Sequence, residues 1–91
     1  MAKTIAIRVQ GRVQGVYYRQ STREKASELG ITGHVANLPD ESVEIIATGN
    51  ETQLVQLVEW CRVGPPAAVV TNIDTKELPL QIFDQFSIQR R

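Results

Sequence analysis

Ten lysines and arginines balance ten aspartates and glutamates in this chain of 91 residues, which is 42% hydrophobic and carries one His and one Cys. A chain of this length buries about 60 to 68% of the surface it exposes when extended, so residues 1–91 are expected to form a single domain, one layer of helix on one sheet. Zero formal charge argues against a nucleic-acid partner, whose binders draw affinity from excess Lys and Arg, and no run approaches the ~20 apolar residues of a membrane span.

The lone Cys61 excludes an internal disulfide, and the opening Met-Ala-Lys-Thr-Ile lacks the apolar block of a signal peptide. Both fit a cytoplasmic location. Charge is nevertheless uneven along the chain. Residues 1–30 hold Lys3, Arg8, Arg12, Arg19, Arg23 and Lys25 against Glu24 and Glu28, a net +4 that the remainder cancels.

In chain order, Ile5, Ile7 and Val9 alternate with Ala6, Arg8 and Gln10, which predicts a half-buried strand over 4–10. Gly11 and Gly15 then bracket a short turn. Tyr18, Thr22, Ala26 and Leu29 follow at helical spacing, with Gly30 placed for a left-handed cap, so a helix is expected over 18–29. The β-prone runs 33–38 and 42–48 flank Pro39-Asp40-Glu41 and read as a hairpin. Asn50 and Gln53 have the spacing of a capping box ahead of Leu54, Leu57, Val58 and Cys61, predicting a second helix over 51–62. Gly64-Pro65-Pro66 stops it. Val69, Thr71, Ile73 and Thr75 supply a further alternating strand, and Phe86 and Ile88 a weaker one near the carboxyl end. The order βαββαβ suits an α+β, ferredoxin-like sandwich with both helices on one face of an antiparallel sheet.

Chemistry concentrates between the first strand and the first helix, in Gly11-Arg12-Val13-Gln14-Gly15-Val16-Tyr17-Tyr18-Arg19. Glycines open backbone angles that let successive N–H groups converge on one anion, and the helix start adds free N–H groups and partial positive charge. Arg19, one turn in, offers a planar fork of donors to the same oxygens. On spacing alone a glycine-bearing turn is common, and an arginine there more often solvates a surface. The stretch is not a nucleotide P-loop, because the Gly-Lys-Ser/Thr ending is missing, and it contains no thiol. Cys61 reads as a buried small hydrophobe.

The string GRVQGVYYR, followed by GHVANLPDESVEIIATG, closely resembles the acylphosphatase family, whose hallmarks are a Gly-x-Val-Gln-Gly-Val-x-Phe/Tyr-Arg loop and a Gly-x-Val-x-Asn strand. The resemblance runs through the whole chain and implies the ferredoxin-like sandwich. It also implies hydrolysis of acyl phosphates to a carboxylate and inorganic phosphate by direct in-line water attack, with no metal, cofactor or phosphoenzyme. By this resemblance Arg19 is the phosphate-binding arginine, the N–H groups of Gln14, Gly15, Val16, Tyr17 and Tyr18 form the cradle, and Asn37 positions the attacking water. The implied partner is a small-molecule acyl phosphate, with phosphate or sulfate as competing anions, and the chain is expected to act as a monomer.

Such a reaction suits a sparse toolkit. Charge on the equatorial phosphoryl oxygens is met by N–H groups and one guanidinium. A leaving carboxylate, whose parent acid has a pKa near ~4, departs without a general acid. Two departures from the family pattern stand out. His34 and Ala36 replace an aromatic and a basic residue and are expected to alter the rim of the site. Asp40-Glu41-Ser42 replaces an Asp-Gly turn, which puts a Cβ at a left-handed position for about 1 kcal/mol. An RNA-binding module of the same element order is disfavoured, because 4–10 and 42–48 carry no aromatic residue for base stacking. A non-catalytic, anion-binding or regulatory acylphosphatase-like module is the alternative, as in the modules fused into hydrogenase-maturation carbamoyltransferases; the end at Arg91 favours the freestanding enzyme.

Overall fold

In the computed structural model, which describes residues 1–89, the alternation of Ile5, Ile7 and Val9 becomes the buried face of β1 (Lys3–Arg12). The strand outruns its hydrophobic pattern. Gly11 and Arg12 continue it past a register shift at Gln10/Gly11, so Gly11 belongs to the strand and the turn starts only at Val13. Helix α1 (Tyr18–Leu29) buries Tyr18, Thr22 and Ala26 and stops at Gly30 (φ 79°), where Ile31 N donates to Ala26 O at 2.8 Å to close the last turn.

Strands β2 (Thr32–Asn37) and β3 (Val43–Gly49) form the expected hairpin, with Glu41 in the left-handed region at φ 73°. Helix α2 (Glu51–Cys61) opens on a complete capping box: Gln53 N donates to Asn50 Oδ1 and Asn50 N to Gln53 Oε1, each at 2.8 Å. The same Gln53 uses its amide nitrogen to reach Leu29 O at 2.9 Å, joining the start of α2 to the end of α1. Strands β4 (Val69–Leu78) and β5 (Phe86–Gln89) complete the chain.

The sheet order is β4-β1-β3-β2-β5. Four strands pair antiparallel as the element order implied, but β5 joins β2 in parallel, which makes the sheet mixed instead of purely antiparallel. Ile7, Val9, Val35, Val43 and Ile45 from one sheet face pack with Tyr18, Ala26, Leu54, Leu57 and Cys61 from the helices. Each fully buried Ile or Leu contributes ~1.5–3 kcal/mol. Residues 79–85 cross the opposite face, held where Gln81 N donates to Thr4 Oγ1 and Thr48 Oγ1 donates to Gln81 O, both at 2.9 Å. Among the described residues no helix is long and apolar enough to cross a membrane.

Topology decides where function can sit. β1 and β2 both run antiparallel to β3, so their carboxyl ends meet at one end of the sheet, with Val9, Val43 and Asn37 in register across three strands. The parallel β5 ends there too, with Gln89 opposite Ala36. The loop after β1, the start of α1 and the end of β2 therefore converge.

Candidate active site

The loop between β1 and α1 is pinned at its start. Val13 is buried in the core, and the Gln14 side-chain amide donates to Leu38 O and Ser42 O, each at 2.9 Å. Beyond those anchors Gly15 takes φ 73° and Tyr17 φ 65°, with Val16 between them at negative φ. Alternating backbone hand in this way turns successive N–H groups toward one side, which is the geometry of an anion nest. A Cβ on Gly15 would meet no atom within 4 Å, so the backbone angle and not lack of room calls for glycine there.

Among the described residues, the N–H groups of Gln14 to Tyr17 donate to no backbone acceptor, and no side chain caps the start of α1. The first-turn N–H groups of a helix have no partner within it. Loop and helix thus present a continuous set of uncommitted donors, with the positive end of the helix dipole behind them.

Arg19 stands one residue into α1. Its Nη1 reaches Gln89 O at 3.5 Å, a long bond, and it forms no salt bridge among the described residues. Asn37 closes β2 on the helix-facing side of the sheet, sharing a ladder row with the buried Val9 and Val43. Its Oδ1 is buried and accepts no hydrogen bond among the described residues. Leaving such an acceptor unpaired costs about 1–3 kcal/mol, so this oxygen is poised for a donor that the described residues do not supply. Arg19, Asn37, Gly15, Tyr17 and Ile88 line one cavity of about 440 Å³.

Arg19, Asn37, Gly15, Tyr17 and Tyr18 thus come together as expected. The side chains of Gln14 and Val16 do not line the cavity: Gln14 works as the clasp just described, and Val16 packs against the core. Tyr18 is 1% exposed, donates its hydroxyl to Cys61 O at 2.6 Å and stacks tilted on Trp60. Burial drives its phenol pKa far upward. Burial likewise pushes the Cys61 thiol up to about 12, against a small opposing effect of Tyr18, so it is no nucleophile at neutral pH.

One expectation needs correction. His34 and Ala36 do not form the rim: strand parity puts them on the face away from Asn37, where His34 meets the Phe83 ring edge-on at 5.7 Å and Ala36 sits opposite Glu44. Of the basic residues in 1–30, Arg19 alone lines the cavity. Lys3 pairs with Glu51, Arg8 with Asp40 and Lys25 with Glu28. Ile88 and the Gln14 clasp were missed. Sharing parity with the buried Phe86 was the available signal for Ile88, whereas the acceptors of Gln14 are backbone carbonyls that no sequence pattern marks. Among the described residues no three His, Cys, Asp or Glu side chains gather as a metal-ion site.

A family model described as Acylphosphatase matches residues 5–88. An acylphosphatase of Methylococcus capsulatus is 48% identical over 89 residues, 97% of each chain. The structure of an acylphosphatase from Coxiella burnetii superposes with a TM-score of 0.94 at 39% identity, over 97% of this chain and 93% of that one. HypF from T. kodakarensis contains a similar region, 32% identical with a TM-score of 0.86, which covers all of this chain but 12% of that protein.

Proposed function

The chain belongs to the acylphosphatase family, and from that premise we propose that it hydrolyses small carboxyl phosphates by in-line attack of water at phosphorus, without a metal or cofactor. The observation that carries this reading is the meeting, at one cavity, of the left-handed pair Gly15 and Tyr17, the Arg19 guanidinium and an Asn37 Oδ1 that accepts no hydrogen bond among the described residues.

The phosphoryl oxygens lie in the ring of N–H groups from Gln14 to Tyr18, and Arg19 adds its charged donors. These groups face charge that spreads over the equatorial oxygens in the transition state and need no reorganisation to do so. Asn37 Oδ1 accepts a hydrogen bond from the attacking water and holds its oxygen in line with the leaving group; an amide oxygen orients water and removes no proton. The departing carboxylate leaves ionised. The electron pair of the breaking P–O bond goes to that carboxylate, and the water proton passes to the product phosphate or to solvent. Neither the Tyr18 hydroxyl, which donates to Cys61 O, nor the buried Cys61 thiol has a part in this.

Hydrolysis of an acyl phosphate in ¹⁸O-labelled water tests the bond that breaks. Label in the phosphate is expected; label in the carboxylate means attack at the acyl carbon and overturns the mechanism. Inorganic phosphate and sulfate are expected to raise the apparent KM as competitors for the cradle. The region of likeness within HypF favours one second reading, an anion-binding module; phosphate binding without any turnover is its signature. The enzyme is proposed to work as a monomer in the cytoplasm, where a free, buried Cys61 is at home.

A further inference from the structure

We propose that the Tyr17 ring is the acyl-group platform of this site and makes it prefer aromatic over small aliphatic acyl phosphates. This rests on the acylphosphatase reading above, and three observations carry it. Tyr17 lines the cavity yet is 81% exposed, which places its ring at the mouth, beyond the cradle that takes the phosphoryl group. Whatever part of the substrate projects from that cradle is its acyl part.

Second, the ring does nothing for the fold. Among the described residues Tyr17 makes no side-chain hydrogen bond and no ring contact, and it does not cap α1. The adjacent tyrosine is its opposite: Tyr18 is 1% exposed, with its hydroxyl bonded to Cys61 O. Third, Tyr17 occupies left-handed backbone at φ 65°, where Gly or Asn sits with less strain. A large aromatic side chain held at a strained position without internal support points to a role outside folding. Ile88, which lines the same cavity, supplies an apolar neighbour for a ring-bearing acyl group.

The test compares kcat/KM for benzoyl phosphate and acetyl phosphate, corrected for spontaneous hydrolysis, in wild type, Tyr17→Phe, Tyr17→Asn and Tyr17→Gly. Loss of the ring in Tyr17→Asn and Tyr17→Gly is expected to lower the benzoyl-to-acetyl ratio about three- to tenfold, the span of an aromatic pair contact. That change appears in KM, since the platform holds ground state and transition state alike. Tyr17→Phe keeps the wild-type ratio. The Tm of Tyr17→Gly is expected to equal or exceed that of wild type. A ratio within twofold of wild type in both ring-less variants overturns the proposal, as does an equal fall for both substrates with lowered Tm, which is the mark of a structural role. If wild type hydrolyses neither substrate, the acylphosphatase reading itself fails and takes this inference with it.

Discussion

Glu41 shares the left-handed region with Tyr17, at φ 73°, but lies at the tip of the hairpin away from the cavity lining. Its strain serves the turn alone. Replacing Glu41 by Gly removes a Cβ cost of about 1–2 kcal/mol and returns part of it as unfolded-chain entropy. A net gain of about 0.5–1 kcal/mol in denaturant unfolding is expected for Glu41→Gly, and an unchanged or lowered midpoint contradicts it. At this scale the site was partly legible. The glycine spacing and Arg19 suggested an anion cradle, and the family resemblance, not spacing, singled out Asn37. The buried, unpaired state of Asn37 Oδ1 depends on what surrounds the end of β2 and had no sequence signal. For His34 and Ala36 the signal existed, because strand parity relative to Asn37 already assigns them to the other face.

The loop after β1 and the β2–β3 hairpin are separate elements that one side chain holds together. Gln14 spans them with two 2.9 Å bonds, to the carbonyls of Leu38 and Ser42, and Leu38 directly follows Asn37. The clasp therefore sets the distance between the cradle and the water-orienting residue. Gln14→Ala is expected to cost about 1–2 kcal/mol in unfolding free energy and to lower kcat by about tenfold to a hundredfold, the sensitivity of a near-attack geometry to small displacements. Loss of stability with kcat intact contradicts a positioning role. Elements set by local rules were readable in advance: the capping box at Asn50, the stop at Gly30 and the turn at Pro39-Asp40-Glu41. Extents and pairings set at long range were not. The bulge that prolongs β1 and the parallel docking of β5 depend on partners far along the chain. β4 runs on to Leu78 as a largely exposed edge strand, so no buried alternation announces its last residues.

Across the molecule the zero net charge conceals a distribution in which three of the six basic residues of the amino-terminal third, Lys3, Arg8 and Lys25, have surface partners, pairs that contribute ~0–1 kcal/mol each. Of the other three, Arg19 is the one that lines the cavity. The one carboxylate with a resolved perturbation is Asp40, held below the usual range first by the Ser42 hydroxyl, then by the Ser42 N–H, and more weakly by Arg8. Its folded pKa lies below the unfolded 3.8, so its contribution is complete above about pH 4 and is lost as pH falls through the folded value. The stability gap between wild type and Asp40→Asn is therefore expected to stay constant near neutrality and to close below about pH 4; a gap that persists or widens in acid contradicts this.

The central claim is that a backbone cradle, one guanidinium and one amide oxygen are sufficient for acyl phosphate hydrolysis. Phosphate release from an aromatic acyl phosphate in excess chelator, with wild type set against Arg19→Ala and Asn37→Ala, measures it most directly. Full wild-type activity under chelation and a loss of more than about a hundredfold in each variant are expected, consistent with removal of a preorganised transition-state contact. Activity that needs added metal, or that survives either substitution within about tenfold, contradicts the account.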